Sequence, residues 1–291
     1  MKPRWLSVLA VLAACVALSA CTAIKLTYNN AEDIVKFMAS DYFDFDDRQQ
    51  DMFRARFADL HQWHRANELP QYAELLQTAS TRVGKGLQPA DVEWAATTVR
   101  TRYRQLAGRA AEQAAPILAT LQPEQVEALE KKFARNNQKH VREWLPSDQR
   151  RRERKLYERS VERFEEWTGR LSTAQRQRVE QLARAHPRIM EIRYTERQRW
   201  QREFVDTLKR HRQSPDFGPR VAKLFTDPDT GRSEEYLRES KRYEADLAQL
   251  VLDVDRSLSP EQRAQAARRM DRYAEDFRSL AGTTRSVASA R

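Results

Sequence analysis

The spacing of apolar residues constrains the fold more than any other feature of this chain. From Pro89 onward, one apolar stripe contains Val92, Ala96, Val99, Tyr103, Leu106, Ala110, Ala114, Ile117 and Leu121. These steps of three and four residues place the side chains on one face of an α-helix, which must then pack against another helix. Similar stripes follow Pro123 and Arg232, and no stretch alternates as a strand would. The sequence therefore predicts an all-α protein, an elongated multi-helix bundle of long antiparallel amphipathic helices.

Four predicted helices begin with a similar local pattern. The four starts are Phe45–Gln49, Leu121–Gln125, Leu171–Gln175 and Leu258–Gln262. Ser259 or Asp46 can cap the free amides at such a start, and the glutamine three positions later completes a capping box. The spacings of 76, 50 and 87 residues are too uneven for a solenoid. We interpret the pattern as recurring helix starts and not as a repeat.

Turn-forming residues interrupt the helical pattern at a few places. Gly84-Lys85-Gly86 and Leu145-Pro146-Ser147-Asp148 are two of them. A boundary near Pro146 would give two helical halves, 28–146 and 147–281, and one continuous bundle is the alternative. Residues 282–291 are small and polar with arginine, so we expect a disordered tail there.

The first 20 residues have the pattern of a signal peptide. Lys2 and Arg4 precede an apolar stretch of 14 residues, Trp5 to Leu18, interrupted only by Ser7. A membrane-spanning helix needs about 20 apolar residues, so a retained anchor is the less favoured alternative. The exit Leu18-Ser19-Ala20-Cys21 resembles the bacterial lipobox, which implies cleavage before Cys21 and acylation of that cysteine.

Cysteine usage agrees with lipidation of Cys21. Cys15 leaves with the signal peptide, so Cys21 is the only cysteine of the mature chain. A lone thiol cannot form an internal disulfide in an oxidising compartment. Residues 21–27 are then a lipidated N-terminal segment. Thr22 does not resemble the aspartate that retains enterobacterial lipoproteins in the inner membrane, which implies the outer membrane, facing the periplasm.

The chain is basic. The precursor carries a formal charge of +10, and removal of Lys2 and Arg4 leaves +8. A basic balance can indicate nucleic-acid binding, but the export signal argues against that partner. Envelope proteins and anionic lipid headgroups are the partners that we expect. The densest basic run is the candidate contact with an anionic surface: Arg150, Arg151, Arg152, Arg154 and Lys155. The alternative is a solvated helix face, because glutamates interleave with it.

Three motifs near the N-terminus resemble a family of uncharacterised proteobacterial lipoproteins, classed as a domain of unknown function. The motifs are Lys25–Ala31 (KLTYNNA), Asp41–Asp44 (DYFD) and Trp63–Ala73 (WHRANELPQYA). The resemblance implies no catalytic residue. Six residues of these motifs are the least explained by helix packing and form our candidate binding surface: Tyr28, Asn29, Asn30, Trp63, His64 and Tyr72.

The sequence predicts neither an enzyme nor a cofactor. No serine lies in a Gly-x-Ser-x-Gly turn, and the Gly84-Lys85-Gly86 turn is too short to bind phosphate. His61 and His64 share a helix face and could hold a metal with one further ligand. We favour the alternative, in which His64 belongs to a buried stripe, and predict no metal.

The expected function is that of a lipid-anchored periplasmic binding or structural protein of the outer membrane. The second expectation is a chaperone-like or envelope-stress-sensing helical cradle, because starts such as Leu258–Gln262 are similar to helix starts of small envelope-stress chaperones. An enzyme of unknown reaction is the third.

Overall fold

A computed structural model of the chain describes residues 24–227 and 229–288, with side chains as far as residue 282. All regular secondary structure in these ranges is helical, so the all-α prediction is confirmed. The helices are α1 (Ala31–Phe43), α2 (Asp47–Trp63), a π-helical turn (His64–Glu68), α3 (Leu69–Lys85), α4 (Pro89–Leu118), α5 (Pro123–Trp144), α6 (Gln149–Thr168), α7 (Thr173–Ala185), α8 (Ile189–His211), α9 (Phe217–Thr226), α10 (Glu234–Arg256) and α11 (Pro260–Ala288).

Two clusters of buried apolar side chains form the cores. The first core draws on α2, α4, α5, α8 and α9, and is centred on residues such as Leu129, Leu208 and Val221. The second core draws on α6, α7, α10 and the start of α8, and includes Val179 and Leu250. Because α8 contributes to both cores, it connects them mechanically.

Packing crosses the boundary that the sequence suggests near Pro146. A helix break does occur there, since α5 ends at Trp144 and α6 begins at Gln149. However, α8 and α9 complete the first core, and α3 packs along α11 more extensively than any other two helices pack together. Contacts between helices therefore cross the boundary near Pro146.

The recurring helix starts form the capping boxes that the sequence predicts. At the start of α2, the Gln49 amide donates to Asp46 Oδ1 at 2.7 Å, and Gln49 Oε1 accepts from the Asp46 amide at 3.1 Å. Ser172 with Gln175 and Ser259 with Gln262 repeat this reciprocal arrangement at α7 and α11. Each box satisfies amides that a helix start otherwise leaves free.

The capping glutamines also pair with one another across the bundle. Gln49 Nε2 donates to Gln125 Oε1 at 3.0 Å, and Gln125 Nε2 donates back to Gln49 Oε1 at 2.7 Å. Gln175 and Gln262 make the same exchange at 3.0 and 3.1 Å. We call these pairs the first and second glutamine clasps. The sequence shows four similar starts without their pairing, whereas the structure joins them in two pairs.

The two clasps share a further detail. Each glutamine also donates to the carbonyl of the residue five positions before its partner. For the first clasp these carbonyls belong to Thr120 and Asp44, and for the second to Ser257 and Arg170. In chain order, the first clasp joins helix starts before the break at Pro146, and the second joins starts after it. The halves therefore share a local design although their helices pack together.

Several predictions concern residues at the chain ends. The predicted signal peptide 1–20 and Cys21 lie outside the described residues. At the other end, α11 is helical as far as Ala288, whereas the sequence analysis expected a disordered tail from residue 282.

Candidate functional site

The motif residues of the candidate binding surface meet where the segment after the lipobox reaches the bundle. Residues 24–29 are helical, and the chain continues into α1 after an irregular turn at Asn30. We call residues 24–43 the N-terminal arm. Tyr28 Oη lies 2.9 Å from His64 Nδ1, and Arg65 donates to Asn29 Oδ1 at 2.9 Å. The KLTYNNA and WHRANELPQYA motifs therefore contact each other directly.

The π-helical turn from His64 to Glu68 follows from the position of Pro70. A proline inside a helix has no amide hydrogen, and its ring collides with the carbonyl four residues earlier, here that of Ala66. The structure widens this turn by one residue, so that the Leu69 amide donates to the His64 carbonyl. Such π-helical turns often occur at functional sites. Here the turn carries the two residues that hold the arm, His64 and Arg65.

Aromatic rings extend the contact between the arm and the π-helical turn, toward α2 on one side and toward α11 on the other. The Tyr28 ring lies between the His61 ring, at 4.6 Å between centroids, and the Arg65 guanidinium, at 5.1 Å. The His64 ring meets Tyr72 edge-on at 5.5 Å, and Tyr72 in turn meets Phe277 of α11 at 6.0 Å. The arm is therefore connected through the π-helical turn to the last helix.

The ionisation of this cluster is set by burial. Burial lowers the pKa of His64 to about 4, with a contribution from neighbouring His61. Burial also raises the pKa of Tyr28 to about 12, against the opposing charge of Arg65. At neutral pH the imidazole is therefore uncharged and the phenol keeps its proton. The Tyr28 hydroxyl can then donate to His64 Nδ1.

A charged contact from α11 completes the attachment of the arm. Lys25 Nζ lies 3.4 Å from Asp276 Oδ1, and the Asp276 side chain is almost fully buried. Arg65 also reaches the Leu280 carbonyl of the same helix at 3.5 Å. We define the docking cluster as Lys25, Tyr28, Asn29, His64, Arg65 and Asp276. Asp276 was not among the residues predicted from the sequence.

Glu68 and Tyr72 form the interior end of the same region. Glu68 is almost fully buried, with Arg102 of α4 at 3.7 Å from its Oε1. Burial raises the pKa of Tyr72 to about 12, and the Glu68 carboxylate beside it adds to the rise. Glu68 Oε2 and His61 Nε2 are buried without a hydrogen-bond partner among the described atoms, which is uncommon in native proteins. Within the described residues, no three His, Cys, Asp or Glu side chains are placed to hold a metal ion.

Two of the six predicted surface residues, Asn30 and Trp63, belong neither to the docking cluster nor to the ring contact between His64 and Tyr72. Asn30 donates to the Leu26 carbonyl at 2.8 Å, which is a local bond within the arm. Trp63 is partly buried in the last turn of α2, and its carbonyl accepts from Asn67 at 2.9 Å. The structure thus joins Tyr28, Asn29, His64 and Tyr72, and it joins them as a packed contact between helices.

The basic run at the start of α6 divides into two groups. Arg152 turns inward, donating to the carbonyls of Pro146 and Ser147 and pairing with Glu191 at 3.1 Å. Lys155 lies over the Trp144 ring at 5.4 Å. The remaining three, Arg150, Arg151 and Arg154, are exposed. Only these three arginines are free to meet an anionic surface without breaking an internal contact.

Two concave surfaces lie elsewhere on the bundle. A groove of about 890 Å³ runs between α5 and α8, where Phe133, Val141 and Val205 alternate with basic side chains such as Arg142 and Arg202. An apolar pocket of about 240 Å³ lies between α1, α2 and α4. Within the described residues, no helix is both long and apolar enough to span a membrane.

Comparison with known proteins identifies a family of unknown function. The model of a family described as a family of unknown function (DUF6279) matches residues 41–238. The matched range includes the π-helical turn and both partners of the first glutamine clasp. No curated protein and no solved structure matches the chain.

Proposed function

Since the chain belongs to this family of unknown function, we propose its function from its own residues. It is a lipid-anchored protein at the periplasmic face of the outer membrane, and it acts by binding or structural support. The docking cluster is the observation that carries this proposal. It fixes the chain to the bundle within a few residues of Cys21. A long flexible tether would need many more residues between the lipid and the bundle.

The docking cluster matters because it determines how the bundle is presented. A protein on a flexible linker samples many orientations, whereas an arm held by Tyr28, Asn29 and Lys25 keeps one. A fixed orientation suits a protein that binds a partner or spaces other components at a set distance from the membrane. The proposal includes no catalytic step, because the titratable groups of the cluster are engaged in packing between helices.

Acylation of Cys21 is tested first. Cells producing the full-length protein or its Cys21→Ala variant are fed an alkyne fatty acid, and the protein is then coupled to a fluorophore and its membrane fraction determined. We expect the label only on the unaltered protein, and in the outer-membrane fraction. Undiminished labelling of Cys21→Ala would refute the lipid anchor.

The binding role is tested by crosslinking in cells. A photoreactive amino acid at Val141, in the groove between α5 and α8, reports on partners of that surface. The same photoreactive amino acid at Leu237, an exposed apolar residue of α10, is the matched control. We expect a defined crosslinked species from position 141 only. Identical crosslinks from both positions would indicate random collisions and argue against a binding surface in the groove.

The same groove supports the second candidate function, a chaperone-like cradle. Its apolar side chains lie beside Arg142, Arg202 and Arg210, a combination that suits an unfolded acidic or amphipathic segment. The purified mature chain should then slow the aggregation of a chemically unfolded test protein. Val141→Asp should weaken that effect, whereas Leu237→Asn should keep it. No delay of aggregation by the unaltered protein would reject the cradle.

A further inference from the structure

The N-terminal arm exposes one apolar side to solvent. Leu26, Ile34, Phe37 and Met38 are 61%, 42%, 77% and 55% exposed. Ile34, Phe37 and Met38 are three and four positions apart, so they share one face of α1, and Leu26 precedes them on the helical residues 24–29. Ala39, Tyr42 and Phe43, by contrast, pack against the first core. The arm is therefore apolar on the side that faces the bundle and also on the side that faces away from it.

Such a group of exposed apolar side chains calls for a partner. Single apolar residues on a protein surface are ordinary, whereas contiguous ones mark a site of interaction with a protein or a membrane. Phe37 is the most exposed large apolar residue of those described, and it lies in the middle of this group. We call Leu26, Ile34, Phe37 and Met38 the apolar face of the arm.

We propose that the apolar face of the arm lies on the bilayer that holds the lipid anchor, with its side chains between the headgroups. The inference rests on the proposed acylation of Cys21. Leu26 lies five positions after Cys21, and even a fully extended chain covers only about 18 Å over five steps. The face therefore begins within reach of the membrane surface.

The docking cluster directs this face away from the bundle. Tyr28 and Asn29 hold one side of the arm on the π-helical turn, and Tyr42 accepts a hydrogen bond from Asn136 of α5 at 2.9 Å. With both ends of the arm fixed, Ile34, Phe37 and Met38 remain exposed between them. An amphipathic helix placed in this way lies in the plane of the interface, with its apolar side about 5–10 Å deep.

Charge indicates which force would drive the contact. The arm carries acidic Glu32, Asp33 and Asp41 against basic Lys25 and Lys36, and Lys25 is paired with Asp276, so we expect no net attraction to anionic lipids. Asp41 is engaged by Lys132 of α5. Contact through the apolar face should therefore form on uncharged bilayers and resist salt, unlike any contact through Arg150, Arg151 and Arg154.

The experiment separates this contact from the question of acylation. The mature chain from Thr22 onward carries an N-terminal histidine tag in place of Cys21 and is tethered to zwitterionic vesicles that contain some nickel-chelating lipid. This chain has no cysteine, so Phe37→Cys provides a single thiol for an environment-sensitive fluorophore. Leu237→Cys is the matched control, because Leu237 is also an exposed apolar residue in a helix. Part of the lipid carries a nitroxide quencher in its acyl chain.

We expect a blue shift and strong quenching at position 37, equal at low and high salt, and neither effect at position 237. In the untethered chain, Phe37→Asn with Met38→Gln should lower binding to neutral vesicles by on the order of tenfold or more. Equal fluorescence at the two positions would overturn the inference. A disulfide between two copies at position 37, without quenching, would assign the face to a second copy and also overturn it. Because the tag replaces the lipid, neither outcome depends on whether Cys21 is acylated in cells.

Discussion

Replacement of Gln49 tests whether the glutamine clasps hold the bundle together. The Gln49 side chain is almost fully buried and serves three partners. It accepts from the Asp46 amide, donates to the Thr120 carbonyl at 3.1 Å, and exchanges hydrogen bonds with Gln125. Gln49→Ala removes all of these side-chain contacts. It also leaves the side-chain amide of Gln125 with one hydrogen-bond partner fewer in a buried environment.

The expected cost follows from these contacts. A hydrogen bond contributes about 1 kcal/mol net, and a buried polar group left without its partner costs about 1–3 kcal/mol. Loss of a buried methylene adds about 0.8 kcal/mol. We therefore expect Gln49→Ala to lower the free energy of unfolding by about 4 kcal/mol. For a chain of this length, such a loss of stability corresponds to a fall in Tm of about 10 °C.

Gln49→Glu provides a sharper version of the same test. The carboxylate still accepts from the Asp46 amide, but it places an oxygen where the Gln49 amide group donated to Thr120 and Gln125. The folded state therefore disfavours the charged form and raises the pKa of the introduced carboxyl above its unfolded value of about 4.3. Destabilisation is then small below pH 4.3 and grows as the pH rises through the folded-state pKa.

Urea unfolding followed by circular dichroism at pH 7.5 and pH 5 measures both variants. Gln249 supplies the control, because it is exposed on α10 and bonds only to Asp253. Gln249→Ala should change the free energy of unfolding by less than about 0.5 kcal/mol. If Gln49→Ala costs as little as Gln249→Ala, or if Gln49→Glu costs the same at both pH values, the clasp does not support the fold as argued.

Three further predictions concern the arm and the basic run. Tyr28→Phe removes the hydrogen bond to His64 and should cost about 1 kcal/mol, with faster proteolysis within residues 24–43. Because burial lowers the pKa of His64 to about 4, the unfolded state binds more protons between pH 6.5 and pH 4. The protein should lose stability as the pH falls through that window, and His64→Gln should lose less between pH 7 and pH 5 in urea titrations. Replacing Arg150, Arg151 and Arg154 with Gln should reduce cosedimentation with anionic vesicles at low salt, and an unchanged, salt-insensitive affinity would show that the run is a solvated helix face.

The helices were predictable because their signals are local. The break at Pro146 and the capping boxes at Asp46, Ser172 and Ser259 depend on residues that are close in sequence, and the structure places each of them where the sequence analysis did. The pairing of the starts was not predictable in this way. Gln49 and Gln125 are far apart along the chain, and nothing in either start shows which other helix start it will meet.

The same limit applies to the candidate binding surface, whose binding role stays a prediction. Tyr28, His64 and Tyr72 were chosen as motif residues that helix packing left unexplained, and the structure brings them together. Arg102 of α4 and Asp276 of α11, which pair with Glu68 and Lys25 beside them, look like ordinary charged residues of amphipathic helices. Only the long-range packing of α3 along α11 brings Asp276 to the arm, so no local pattern could have identified it.

The π-helical turn links the position of the arm to the packing of the last helix, α11. Without the extra residue that Pro70 imposes, the side chains after His64 would be rotated by about 100° on a regular helix, and those of α3 would lose their alignment with α11. The same irregularity therefore places Arg65 against the arm and Tyr72 against Phe277. The position of the arm, and with it the direction of its apolar face, is thus tied to the packing of the last helix. A substitution of Pro70 that restores a regular helix should loosen the arm even though Pro70 itself is exposed.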